Sequence, residues 1–172
     1  DVIFKTYTTK GEADELQRKT GIPVIAIQYV NQGSEWNTLK KALRTMGKVV
    51  GKEERSDSLI RFIRTTMDTL NKLTLEVPKN MKPTVYIGAL SHRGTHGINS
   101  TSPHYEPFAF VNARNVASPL KRQYANNEGV LLDIEQIMVW DPDIIFIDLA
   151  GIGLVQQDIR DHKVFFKELR AF

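Results

Sequence analysis

The sequence predicts an α/β fold: parallel-sheet βαβ lobes with helices on both faces, joined by one long interlobe helix, the first lobe incomplete. Three observations carry that prediction. Apolar runs without alternation, at residues 22–27, 84–88 and 142–148, read as strands buried on both faces, the habit of parallel sheets covered by helices. Helical patterns alternate with these runs, which is the βαβ arrangement. The opening Asp1-Val2-Ile3-Phe4 is echoed by Asp143-Ile144-Ile145-Phe146 beyond a long helical pattern, as two similar lobes on one spine would produce.

Each element follows from local chemistry. Val2-Ile3-Phe4 forms a short strand. Residues 11–19 form a helix that Thr20-Gly21 stops, since glycine tolerates the left-handed backbone of a helix end. After the strand at 22–27, Ser34 is placed to cap a helix reaching Val50, with Trp36, Leu39, Leu43, Met46 and Val50 in one stripe. Residues 52–77 carry the longest helical pattern, with Leu59, Phe62, Ile63, Met67, Leu70 and Leu73 at spacings of three and four. About 24 residues at 1.5 Å each make a rod of roughly 36 Å. Pro78, Asn80 and Pro83 close it, and residues 84–88 open a buried strand. A polar loop covers 91–105, a helix 106–112 and a polar stretch 118–129, before a short apolar segment at 130–132. Asp133 caps a helix over 134–139, residues 142–148 form another buried parallel strand, and a last helix runs over 155–169.

The organisation is therefore residues 1–51 as the C-terminal part of a first lobe, 52–78 as a spine helix, and 79–172 as a second lobe truncated at its C-terminus. The chain opens in mid-strand without an initiator Met or a leader-like segment, and it stops inside an amphipathic pattern. It is expected to be a piece of a longer protein. Strands deprived of neighbours expose edges and apolar faces, so any dimer formed through residues before Val50 is expected to reflect truncation.

Composition narrows the function classes. With 41% hydrophobic and 25% charged residues among 172, collagen-like, disordered and coiled-coil chains are excluded. Twenty-three Lys and Arg against 20 Asp and Glu leave +3, so the pI of about 9.1 marks a small excess of bases, and nothing calls for nucleic acid. The absence of cysteine removes disulfides, zinc fingers, thiol nucleophiles and iron–sulfur clusters. No apolar run approaches the roughly 18–20 residues of a membrane span. There is no Gly-x-Gly-x-x-Gly, P-loop or Ser/His/Asp spacing, and no cofactor is expected.

Ligands of parallel α/β lobes sit at the carboxyl ends of strands, and long loops there are the usual place for function. The loop after residues 84–88 carries His92, Arg93, His96, Asn99 and Tyr105. Arg93 can fork onto a carboxylate or phosphate, and Tyr105, with Tyr86 on the strand, can stack on a flat ligand. Asp148, at the end of its strand, points toward the same side. Each of these has a plainer reading as a solvated or structural residue. His92, His96 and His104 contain metal-binding nitrogens, but Gly94 and Gly97 argue against the helix that would align them and no carboxylate intervenes before Glu106. No metal site and no catalytic residue is assigned: Asp133 and Glu135 are accounted for by a helix cap and its first turn.

Several stretches together resemble a known family. Gly47-Lys48-Val49-Val50-Gly51-Lys52-Glu53-Glu54-Arg55 resembles the entrance to the interlobe helix of helical-backbone periplasmic binding proteins, the substrate-binding components of iron–siderophore, haem and cobalamin ABC importers. Asp133-Ile134-Glu135, followed by Pro142-Asp143-Ile144, is similar to that family's signature of a Glu, an apolar pair and a Pro-Asp before a strand. His96-Gly97-Ile98-Asn99-Ser100-Thr101 with Asn112-Ala113-Arg114-Asn115-Val116-Ala117 is similar to one iron-transport branch. The family has a complete first lobe and continues past this C-terminus.

The resemblance implies an extracytoplasmic protein, periplasmic or a cell-surface lipoprotein, without catalytic activity. It would capture a metal chelate such as a siderophore complex, haem or a corrinoid, and would dock on a membrane permease through surface acids, with Glu106 the docking candidate. The competing reading is a metal chelatase-like or nitrogenase-like two-lobed enzyme. The first would want a His facing an acid across a cleft, and the second a cysteine, which is absent.

Overall fold

A computed structural model describes residues 1–27, 35–91, 94–120 and 129–172. The chain divides into two units, Asp1–Thr66 and Met67–Phe172, and the boundary falls inside a helix.

In the first unit β1 (Ile3–Lys5) pairs in parallel with β2 (Val24–Ala26), Ile3 opposite Val24, through the crossover helix α1 (Lys10–Thr20). A capping box starts α1: Thr9 Oγ1 accepts from Glu12 N, and Glu12 Oε2 accepts from Thr9 N at 2.8 Å. Gly21, at φ 67°, ends it in the left-handed conformation expected. Ile3 and Ile25 are half-buried, not enclosed, because this sheet has two strands among the described residues.

Two helices complete the unit: α2 (Glu35–Val49) and α3 (Glu53–Leu75), the second continuing into the next unit. The cap expected at Ser34 lies outside the described residues. A Cβ on Gly47 would stand 2.6 Å from Ser56 Cβ, so glycine is what lets α2 and α3 approach this closely. Helix α3 runs unbroken through Thr65-Thr66 as the spacing predicts, but its buried stripe differs. Ser56 and Ile60 are its buried residues, with Ile63 and Met67 half-buried in the same line, whereas Phe62 and Leu73 are 68% and 71% exposed. At 3.6 residues per turn, Phe62 lies about 200° from Ile60, on the outer face. Val50, just past the end of α2, is exposed as well.

The second unit adds β3 (Thr84–Gly88), β4 (Ser100–Thr101), α4 (Glu106–Phe110), β5 (Arg114–Asn115), β6 (Val130–Leu131), α5 (Ile134–Trp140), β7 (Ile144–Ile147), α6 (Ile152–Asp161) and α7 (Lys163–Glu168). A three-stranded parallel sheet has the order β5-β3-β7, with Val85 opposite Ile144 and Gly88 opposite Ile147. β4 and β6 form a separate antiparallel pair, Ser100 opposite Leu131. Tyr86, Ile98, Ile137, Val155, Phe166 and Leu169 form the larger core, and Val85, Ile87 and Phe108 form the smaller one. Trp140 packs on the larger core, its ring 6.3 Å from that of Tyr86.

Four expectations need correction here. Of the three apolar runs, only that of β3 is enclosed on both faces; on β7, Ile144 and Phe146 are 40% and 47% exposed, because they lie on the face of Val85 and Ile87, which the smaller core covers only in part. The last helix is two, α6 and α7, broken at His162, where a polar residue interrupts the stripe running from Val155 through Ile159 to Phe166. Asp133 occupies the cap position of α5 with extended backbone but makes no capping side-chain bond. The loop over 91–105 is also not free: Ile98, Ser100, Thr101 and Pro103 are buried and β4 lies within it. No described helix is long and apolar enough to cross a membrane.

Candidate functional site

The carboxyl ends of β3 and β7 lie side by side, since Gly88 and Ile147 are register partners and Asp148 N donates to Gly88 O at 3.0 Å. Beyond β3 the backbone turns at Ala89, a fully buried residue with φ 63°. Non-glycine residues held in this region cost of order 1–3 kcal/mol and persist only where the surroundings dictate them. Here Leu90 O accepts from Ser100 Oγ at 2.7 Å, which folds the returning chain back over the turn.

The returning chain is tightly held. Tyr86 donates its phenol to Ile98 O at 2.8 Å, and Ile98 N donates to Asp158 Oδ2 at 2.8 Å. Asn99 bridges to β6: its Nδ2 donates to Leu132 O at 3.3 Å, and its carbonyl accepts from Leu132 N at 2.9 Å. The backbone of Gly151, after β7, presses on this segment so closely that a Cβ there would lie 2.4 Å from His96 O.

The residues expected to contact ligand therefore separate. Arg93 and His92 lie outside the described residues. His96 is half-buried at the start of the held segment. Tyr105 is half-buried, at the cap position of α4, with its ring edge-on to Phe108 at 4.9 Å. Glu106, the docking candidate, follows in the first turn of α4, also half-buried. Asp148 accepts from Ala150 N at 3.1 Å and caps the short 3₁₀ turn after β7, half-buried beside the same strand ends.

Tyr86 is corrected. It is fully buried, and burial pushes its phenol pKa up against a weaker opposing pull from Thr101. A ring with no exposed surface offers a ligand no face to stack on. Asn99 joins the loop to β6 through its bond to Leu132 and also lines a cavity beside the loop.

Structure adds features that sequence alone does not flag. A cavity of about 400 Å³ opens beside the held segment, lined by Gly97, Asn99, Asp133, Glu135, Asp158 and His162 among others. Among the described residues, no three of His, Asp and Glu gather as a metal site would require. In the first unit, Tyr7 follows β1 at φ 48° and is 84% exposed, an aromatic displayed at the carboxyl end of a parallel strand. Its signal in the sequence is the aromatic set among Thr6, Thr8 and Thr9 just after the strand.

Two carboxylates, Asp148 and Asp158, accept backbone N–H groups, which fixes loops in place. A family model described as periplasmic binding protein matches residues 1–168. No curated protein matches the chain. Among solved structures, the chain is similar to the molybdate periplasmic binding protein MolA of Haemophilus influenzae, at 19% identity and a TM-score of 0.68, covering 99% of this chain and 54% of that one. It is similar to a periplasmic solute binding protein of Veillonella parvula, at 20% identity and a TM-score of 0.70, covering 99% and 48%. A periplasmic haem binding protein of Pseudomonas aeruginosa follows at 14% identity and a TM-score of 0.65, covering 99% and 60%. The chain thus spans about half to three-fifths of the length of these structures.

Proposed function

The chain belongs to the periplasmic binding protein family, and from that premise we propose that it is the extracytoplasmic substrate-binding part of an ABC importer that captures an iron chelate. The chelate is a siderophore complex or a related metal complex such as haem or a corrinoid. The protein works as a carrier, without catalysis, in the periplasm or as a cell-surface lipoprotein, and it delivers the chelate to a membrane permease. The observation that carries this reading is the loop of residues 91–105 at the carboxyl end of β3, where ligands of parallel α/β units bind.

Within that loop Arg93 supplies a bidentate cation for an anionic chelate, with His96 and Tyr105 beside it in sequence. Asp148 stands at the neighbouring strand end. Glu106, in the first turn of α4, is the residue assigned to permease docking. That a similar structure of the same fold binds haem supports an iron-containing ligand, and that another binds molybdate supports an anionic one.

The test is titration calorimetry of the protein expressed from its intact gene against haemin, ferrichrome and cyanocobalamin. One of them should bind, and Arg93→Ala should weaken an anionic ligand by about 1–3 kcal/mol, the scale of a charge-assisted hydrogen bond. Wild-type protein that binds none of the three refutes the chelate reading. Binding that ignores Arg93→Ala moves the site to the loops after β1 and β7.

A further inference from the structure

We propose that Asp158, on α6, is a positioning residue that sets where the segment around His96 stands at the carboxyl end of β3. Its value to binding rests on the reading of that loop as ligand-facing.

The segment before β4 has no strand ladder of its own, so its position must come from elsewhere. Ile98 is where it is fixed, and three separate contacts do so. Its N–H donates to Asp158 Oδ2 at 2.8 Å, its carbonyl accepts the Tyr86 phenol at 2.8 Å, and its side chain is fully buried in the larger core. The acceptor at the N–H is a carboxylate, and hydrogen bonds to ionised groups are roughly twice as strong as neutral ones.

The adjoining residues confirm how close the carboxylate comes. A Cβ on Gly97 would stand 2.3 Å from Asp158 Oδ2, so the carboxylate rests against the Gly97 backbone, and a side chain there would push it aside. On the other side, Gly151 presses on His96 O and on Ala89. The peptide that follows His96 is therefore held between α6 and the turn after β7. Freeing the Asp158 contact would leave the Ile98 N–H without an acceptor and release His96 on one side. Sixty residues separate donor from acceptor, so this is a tertiary clamp and not a local turn.

Two variants separate positioning from general stability. Asp158→Asn keeps a carbonyl oxygen able to accept from Ile98 N–H; Asp158→Ala removes the acceptor. In protein from the intact gene, Asp158→Ala should speed exchange of the Ile98 amide by about tenfold while leaving the Ile137 amide near its wild-type rate. It should also move the His96 imidazole resonances. Haemin or ferrichrome, whichever the wild type binds, should lose about five- to twenty-fold in affinity. Asp158→Asn, whose acceptor is neutral, should place all three readouts between those of Asp158→Ala and wild type.

Wild-type exchange at Ile98 and unmoved His96 resonances in Asp158→Ala would overturn the proposal. So would an equal rise in exchange at Ile98 and Ile137, which would mean general loosening. If His96 moves and Ile98 exchange rises while affinity stays unchanged, Asp158 does position the segment and the ligand-facing reading falls. A wild type that binds neither probe also defeats that reading, while exchange and resonances still decide on Asp158.

Discussion

Replacing Tyr86 by Phe isolates one bond in the centre of the second unit. The phenol and Ile98 are both fully buried, and the O···O distance is 2.8 Å, so no solvent replaces the donor when the hydroxyl is removed. The ring itself stays, with its neighbours Trp140 and Ile98 unaltered. What is lost is one hydrogen bond, and what remains is an unsatisfied buried carbonyl, a combination that costs about 1–3 kcal/mol. Truncation to Ala would add loss of the ring and reach about 3–5 kcal/mol. The assay is urea denaturation, read as a lower midpoint at unchanged slope. In a chain of this length the melting temperature should fall by roughly 2–4 °C per kcal/mol. A change below about 0.5 kcal/mol, the scale of an ordinary surface substitution, would refute the reasoning, because it would mean that Ile98 O has another donor.

Two further outcomes follow from contacts elsewhere. Asp143 accepts from Thr84 Oγ1 at 2.6 Å, Thr84 N at 2.7 Å and Arg170 Nη1 at 2.7 Å, and these bonds, Thr84's first, hold its carboxyl below the usual range. A carboxyl with a lowered folded pKa stabilises fully above its unfolded pKa of about 3.9 and loses that contribution as pH falls through the folded value. Wild type should therefore exceed Asp143→Asn in urea midpoint at pH 7, and the gap should narrow as pH falls below about 4; a gap as wide at pH 2 as at pH 7 would contradict this. On α3, Ile60→Ala should cost about 2–5 kcal/mol and Phe62→Ala under about 0.5, measured by the same denaturation. The reverse order would restore the stripe drawn from spacing.

Much of the architecture was open to reading because it depends on local signals. Gly21 ends α1, an unbroken spacing of three and four runs the length of α3, and apolar runs mark β2, β3 and β7. The errors arise where a local signal has two solutions. The spacing in α3 fits a stripe through Phe62 as well as one through Ile60, and Ser56, a polar residue made buriable by Gly47, hides the true centre. In β7 an apolar run implies two covered faces, but Ile144 and Phe146 lie on the face with the smaller core, and how much of a sheet face is covered is not a local property. The two-residue strands β4, β5 and β6 carry too few residues for any periodicity to appear.

Of the candidate site, the position of the loop was legible and the packing of its residues much less so. A polar loop after an apolar strand is visible from residue types alone, but which of its residues face outward is decided by partners far along the chain. Tyr86 illustrates the point: an aromatic near a ligand loop invites stacking, yet β-strand alternation puts Val85 and Ile87 on one face and Tyr86 on the other, inside the larger core. Its phenol then serves the loop from beneath. Asp158 reads from sequence as one more surface charge on a helix, and only the fold brings it to Ile98. The local trace of that contact is Gly97, since a glycine outside a required turn often marks a close backbone approach. Sequence reading of such sites gains most from treating glycines beside candidate residues as evidence of a clamp, and then asking which distant polar side chain supplies it.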